Sequence, residues 1–434
     1  MIATLCIAGT TIALMIAAII FFPRLTLGRF SVDTYWPIAL LGALALLLGG
    51  RVEGGELLAA LTSSDAINPL KIALLFLSMT LLSVFLDEVG FFGYVAALAL
   101  SRAGHSQARL FFVLYAAGSV LTVFTSNDII VLTFTPFICY FAHAAKIDPM
   151  PYLVAEFVAA NTWSMALVIG NPTNVYLAAT YGIDFIAYLR VMLLPCVAAG
   201  LSALLVLWLL FRRRLRQPIE PVKVEMRFRD RLLLAIGLLH LGGCTLLLAI
   251  ASYVGWDMCT IALVSALSLF VVTAIASLAR RRAPRVLLSC LRRAPWPLLP
   301  FILSMFVLIL SLGKAGITAG YADLLAATGE TVWTYGISSA LVCNLINNIP
   351  MSAFYCAVAG LLPQAVRTAG VYAAVIGSNL GALLTPVGAL AGIMWTGMLK
   401  KQGLRFSYAD FLRRCAPAGA AALAAALGVL MLVV

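Results

Sequence analysis

The sequence predicts an all-α polytopic membrane protein: about ten transmembrane helices plus two re-entrant hairpins, arranged as two inverted-topology repeats. Three observations carry this. First, 63% of the 434 residues are apolar and only 11% are charged, against about 25% charged in an average soluble domain. So few charges cannot cover that much apolar surface in water, and the mean hydropathy of +1.06 agrees. Second, the apolar residues fall into runs of membrane-spanning length separated by short basic clusters. Third, polar landmarks recur in the same order in the two halves. Together these exclude a soluble enzyme, a nucleic-acid-binding domain and a secreted disulfide scaffold. The net charge of +12 resides in the clusters between spans. The nine cysteines form no CxxC and mostly lie inside apolar runs, as small buried hydrophobes do. With three histidines and no HExxH, neither a metal site nor a cofactor is expected.

Full spans are predicted at 2–22, 35–50, 70–87, 153–179, 186–211, 232–252, 258–279, 297–312, 371–398 and 415–434. The first is expected to be a retained span. It has no basic n-region, no small-residue cleavage site, and is too long for a signal-peptide core. Short surface segments are expected near 89–104 and 316–328. Regions 107–145 and 331–363 are apolar but interrupted, the first at Thr125-Ser126-Asn127-Asp128, the second at Asn344-Leu345-Ile346-Asn347-Asn348-Ile349-Pro350. Such polar pairs are costly on a lipid-facing helix at mid-depth, so each region reads as a re-entrant hairpin with the polar pair at its tip. Two spans carry internal breaks, Ile169-Gly170-Asn171-Pro172-Thr173-Asn174 in 153–179 and Ser378-Asn379-Leu380-Gly381 through Thr385-Pro386-Val387-Gly388 in 371–398.

The halves align on these landmarks. Ser78-Met79 and Gly90 pair with Ser304-Met305 and Gly316, Asn127-Asp128 with Asn347-Asn348, Asn161 with Asn379, and Gly170 with Gly388. Five crossings per half is an odd number, so the second half lies upside down relative to the first. The expected division is 1–211 as the first repeat, 212–231 as a basic cytoplasmic linker and 232–434 as the second repeat. With both termini outside, the inside loops hold 24 of the 29 Lys and Arg residues, which the positive-inside rule favours. Those loops need no further role, although they can touch anionic lipid.

Unwound backbone in mid-membrane exposes carbonyls that coordinate cations, and half-helix N-termini that face anions or hydroxyls. The candidate substrate- and ion-binding residues are therefore Ser126, Asn127, Asp128, Asn161, Gly170, Asn171, Thr173, Asn174, Asn344, Asn347, Asn348, Ser378, Asn379, Thr385 and Gly388. Asp128 is the one carboxylate at a hairpin tip, opposite Asn348, and is the candidate coupling residue, able to take H+ or Na+. Glu156 reads either as a second proton relay or as an interfacial residue. Asp87 and Glu88, at the end of a span, read as interfacial. Cys139, Cys343 and Cys356 on the hairpins, and Trp163 and Trp395 on the broken spans, read as packing residues.

At these residues the sequence resembles the bacterial arsenite/antimonite permeases of the ion-transporter superfamily. The matching motifs are Asn127-Asp128 with Thr135-Pro136, Asn344-x-x-Asn347-Asn348-x-Pro350, and Leu380-Gly381-x-x-x-Thr385-Pro386-x-Gly388-x-Leu390-Ala391 with Trp395. The resemblance covers nearly the whole chain. It implies an inner-membrane carrier, not an enzyme, with a scaffold domain and a hairpin-bearing transport domain. It implies export of trivalent arsenic and antimony in exchange for protons by alternating access, and for some relatives a cytoplasmic ATPase subunit as partner. Where arsenite permeases carry Ser-Asn-Leu-x-Asn, this chain has Gly170-Asn171-Pro172-Thr173-Asn174, which is more similar to anion permeases of the superfamily. A Na+- or H+-coupled carboxylate carrier and a cation/proton antiporter are the alternatives. No Lys or Arg falls at a tip or break to compensate a carboxylate.

Overall fold

The structure, a computed structural model, describes residues 2–22, 24–27, 30–62, 68–219 and 230–434. The first half contains α1 (Ile2–Phe21), β1 (Arg24–Leu27), β2 (Phe30–Asp33), α2 (Tyr35–Leu48), α3 (Gly54–Thr62) and α4 (Pro69–Glu88). It continues with α5 (Phe91–Ala103), α6 (Gln107–Phe124), α7 (Asn127–Ala144), α8 (Met150–Trp163), α9 (Pro172–Thr180) and α10 (Phe185–Phe211). The second half contains α11 (Arg231–Val254), α12 (Met258–Ala279), α13 (Arg285–Arg293), α14 (Leu298–Lys314), α15 (Ile317–Ala326) and α16 (Thr331–Ile346). It ends with α17 (Asn348–Ala359), α18 (Gln364–Leu380), α19 (Leu390–Lys401), α20 (Tyr408–Arg414) and α21 (Ala416–Val433). Half of the expected linker, 220–229, lies outside the described residues.

By length and composition, eight segments among the described residues can cross a membrane: α1, α4, α6, α10, α11, α12, the stretch 285–314 and α21. The expected spans 153–179 and 371–398 are each two helices around a break, α8/α9 and α18/α19. The order α4 to α10 is repeated by α14 to α21: a long helix, a short helix, a helical hairpin, a broken helix and a closing helix. At both equivalent joints the chain turns on a left-handed glycine, Gly90 (φ 88°) before α5 and Gly316 (φ 78°) before α15, a backbone that residues with a Cβ adopt at a cost.

Four local features depart from the sequence expectation. A short antiparallel hairpin, with Arg24 opposite Asp33, interrupts the all-α pattern. Helices α3, α13 and α20 occupy stretches read as loops. In α13, Leu287 and Cys290 face the core while Arg285, Arg292 and Arg293 mark a polar side, and so many arginines disguise a helix as a loop. Asp87 and Glu88, at the end of α4, are half-buried. Arg293 of α13 bonds both, at 2.5 Å to Asp87 and 2.6 Å to Glu88. Paired this way, the carboxylates tolerate partial burial.

The main core runs through α4 to α10 and α15 to α21, with α10 lying along α21, α16 along α18 and α6 along α8. A smaller core joins α1, α2 and α14. Leucines on the outer faces of α10 to α12, such as Leu201, Leu239 and Leu246, are exposed. In water they would be a liability, but facing lipid tails they match their solvent.

Candidate functional site

The two broken helices meet at their breaks. α8 stops at Trp163, and a single 3-10 turn at Val168–Gly170 leads to α9. Gly170 is required by space, because a Cβ there would lie 2.1 Å from the Ser164 carbonyl oxygen. Pro172 then opens α9, where a missing N–H is harmless, and the Asn171 side chain accepts from the Thr173 N–H at 3.3 Å. In the second half, α18 runs to Leu380, passes a 3-10 turn at Gly381–Leu383 and Thr385-Pro386, and resumes as α19.

Asn379 is the hub of the crossing and is fully buried. Its Oδ1 accepts from Asn171 Nδ2 at 2.8 Å and from Ser164 Oγ at 2.9 Å. Its Nδ2 donates to Asn174 Oδ1 at 2.6 Å and to the Val375 carbonyl at 2.9 Å. Thr173 Oγ1 lies 3.0 Å from Ser378 Oγ, and Asn174 Nδ2 donates to the carbonyls of Ser164 and Leu167 at 2.9 and 3.2 Å. Neutral amides and hydroxyls thus tie the two halves together, each amide acting as donor and acceptor at once.

Each hairpin tip sits against the break of its own half. Asn127, the first residue of α7, donates through Nδ2 to Asn161 Oδ1 of α8 at 3.2 Å. Its own Oδ1, the Ser126 hydroxyl and the Thr162 hydroxyl are buried without partners. Asp128 follows in the first turn of α7, half-buried. Among the described residues none donates a hydrogen bond to its carboxylate and none forms an ion pair with it. The positive end of α7 favours an anionic group there.

The second tip is closed. Asn344 donates to the Gly381 carbonyl at 2.8 Å and accepts from Thr385 Oγ1 at 2.5 Å. Asn347 Nδ2 donates to the Val387 carbonyl at 3.1 Å, and the Asn348 N–H donates to the Gly388 carbonyl at 3.0 Å. A Cβ on Gly388 would approach Asn344 Oδ1 to 2.8 Å, so glycine is what lets this tip dock. Asn347 joins α16 to α17 as a single residue at φ 72°, ψ 155°, a region that strains any residue but glycine.

Residues 34–370 match the CitMHS family, described as "Citrate transporter". The chain belongs to this family of membrane transporters. It is also similar to the arsenical pump membrane protein of Escherichia coli strain K12, at 28% identity over 94% of both chains. To the putative arsenical pump membrane protein of Bacillus subtilis strain 168 it is 26% identical, over 86% of this chain and 89% of the relative. These relatives bear out the resemblance drawn from the Asn-Asp, Asn-Asn and Thr-Pro-x-Gly motifs. Among solved structures the Alcanivorax borkumensis YdaH transporter overlays with a TM-score of 0.58, covering 99% of this chain and 97% of that one at 14% identity. That likeness concerns the fold alone.

Within this transporter, sequence reasoning missed Ser164 and left Glu156 undecided. Ser164 lies three residues after Asn161, on the same helical face, and that spacing was the available signal. Glu156 is 1% exposed, which rules out the headgroup-facing reading. Its Oε2 accepts from Thr135 Oγ1 of α7 at 3.1 Å, and its Oε1 has no partner. All nine cysteines are free thiols and eight are buried, as expected of packing residues.

Proposed function

We propose that this transporter exports arsenite and antimonite across the inner membrane in exchange for protons, by alternating access. The observation that carries the reading is the site's composition. Asn, Ser and Thr side chains from both breaks form a neutral, buried hydrogen-bond network, and the unpaired Asp128 carboxylate stands on the first-half hairpin tip beside it. Arsenite at neutral pH is an uncharged trihydroxide. Its three hydroxyls suit amide and hydroxyl partners and need no cationic side chain. The curated relatives named arsenical pump membrane proteins support the substrate.

In this reading the hairpins α6–α7 and α16–α17 are re-entrant, entering from opposite faces. Residues 1–211 and 232–434 are the inverted repeats, both termini lie outside, and the basic loops face the cytoplasm. Asp128 takes a proton or releases it as the site changes face, which couples cargo to the gradient. A cytoplasmic ATPase subunit, as used by some relatives in the resemblance, would dock on the cytoplasmic face in the same reading.

A second reading has its own support. The family description names citrate, and the half-helices α7, α9, α17 and α19 all begin at the tips or breaks. Their N-termini can receive a small anion such as a carboxylate, with Na+ or H+ as coupling ion. The neutral side chains favour the first reading.

Arsenite uptake into everted membrane vesicles under an imposed pH gradient decides between them. Uptake that requires the gradient, ignores Na+ and is lost in Asp128→Asn is the expected outcome. Folded protein that moves no arsenite but takes up a di- or tricarboxylate would install the anion reading instead.

A further inference from the structure

Glu156 is the most deeply buried carboxylate of the described chain at 1% exposure, and it stands outside the Asn379 network. It belongs to α8, one turn before Asn161. It meets α7 through Thr135 and α19 through Trp395, whose ring stacks on Phe157 with centroids 4.6 Å apart. The Trp395 indole N–H is buried without a hydrogen-bond partner. Isolated buried charge is expensive enough that such groups pair or neutralise, and Glu156 has no cation beside it. Cys139 of α7 is a titratable neighbour that makes no hydrogen bond to it. Of the other titratable or charged groups on neighbouring elements, Tyr152, His143, Lys400, Lys401, Arg413, Arg414 and Cys415, none hydrogen-bonds or ion-pairs with it. Tyr152 is engaged by Gln107 at 3.0 Å and Arg414 by Asp410 at 3.2 Å. The charged side chains of α6, α10 and α18 likewise make no bond to it.

We propose that Glu156 is a second proton-binding residue of the transporter, loaded while α7 is docked on α8 and unloaded when that contact opens. Its partner suits both protonation states. A threonine hydroxyl donates to a carboxylate and accepts from a carboxylic acid, so the same 3.1 Å contact serves either form. The position links the proton to the moving parts. Thr135 rides on the helix whose tip carries Asp128, and Trp395 rides on the helix that follows the second break. A displacement of α7 removes the one donor to Glu156 and exposes the carboxyl. Its role in coupling rests on the proton-exchange reading above, whereas its protonation does not.

The test has two arms, both on the full chain in lipid. Infrared titration without any cargo reads the carboxylic-acid C=O band. A band that titrates in the wild type, survives Asp128→Asn and disappears in Glu156→Gln is expected. A band indifferent to Glu156→Gln overturns the proposal. Thr135→Val, which keeps the glutamate and deletes one hydroxyl, is expected to move the pH at which the band titrates, and an unmoved band counts against the contact. In the second arm, Glu156→Gln is expected to keep arsenite exchange at equal pH on both sides and to lose gradient-driven accumulation about tenfold. An unchanged pH profile of accumulation would also overturn the proposal. Wild type that moves no arsenite defeats the substrate reading alone and leaves the infrared arm to decide this one.

Discussion

The two hairpin tips occupy equivalent places in the repeat, yet they differ in what they leave unsatisfied. At the second tip Asn344, Asn347 and Asn348 are hydrogen-bonded to the break at Gly381, Thr385, Val387 and Gly388. At the first, Ser126 Oγ, Asn127 Oδ1 and Thr162 Oγ1 are buried without partners and Asp128 is unpaired. Buried polar groups are normally satisfied, and each exception asks for a reason. The comparison teaches that symmetry of fold is not symmetry of task. The second half is tied to its break, and the first half leaves polar groups unpartnered.

The sharpest way to break this comparison is to exchange the tips. Moving the carboxylate with Asp128→Asn plus Asn348→Asp should leave gradient-driven transport at least about tenfold below wild type, because the second tip is already engaged by its break. Restored flux in vesicles would mean that the halves are interchangeable. Next in size is the hub. Asn379→Ala orphans Asn171 Nδ2 and takes one partner each from Ser164 and Asn174, and lost bonds to buried polar groups cost about 1–3 kcal/mol each. A loss of about 3 kcal/mol or more is expected in denaturant unfolding in detergent, with transport abolished. A loss under about 1 kcal/mol would mean that the network is not held as described.

Much of this asymmetry was invisible in the sequence, and the reasons are physical. The breaks and tips were legible because Gly170, Pro172, Pro386 and the Asn pairs disrupt otherwise apolar runs, and such residues interrupt a helix wherever they fall. The spans were legible for the same reason that lipid selects them. What escaped depends on partners distant in the chain. Nothing local to Glu156 says that α7 and α19 cover it, and nothing local to Asn344 says that Thr385 and Gly381 satisfy it. Helix α13 escaped because its arginines mimic a topogenic loop. The strand pair β1–β2 escaped because four-residue strands carry too little alternation to read.

A smaller effect separates the tips one residue at a time. Asn344→Ala removes a donor to Gly381 and the acceptor of Thr385, so about 1–3 kcal/mol of stability should be lost. Asn127→Ala removes a single 3.2 Å bond from a tip that is already underused, so its stability cost should stay near 1 kcal/mol or below, while the KM for cargo rises. Equal stability losses in paired unfolding curves would erase the distinction between the two tips.

The smallest expected effect lies where the halves are pinned outside the site. Glu56 of α3 is ion-paired with Lys314 at the end of α14. The Lys314 ammonium, helped by the Glu53 N–H, holds the Glu56 carboxyl below its ordinary value. A carboxyl lowered in the folded state contributes stability that is fully present above its unfolded pKa of about 4.3 and is lost as pH falls through the folded value. The pair is solvent-exposed, so only a slight effect is expected. The melting temperature of wild type should therefore fall a little more steeply than that of Glu56→Gln once pH drops below about 4.3. The two should run parallel from pH 6 to 8. Parallel curves down to pH 3 would mean that α3 is not tied to α14, and that the smaller core of α1, α2 and α14 holds its half unaided.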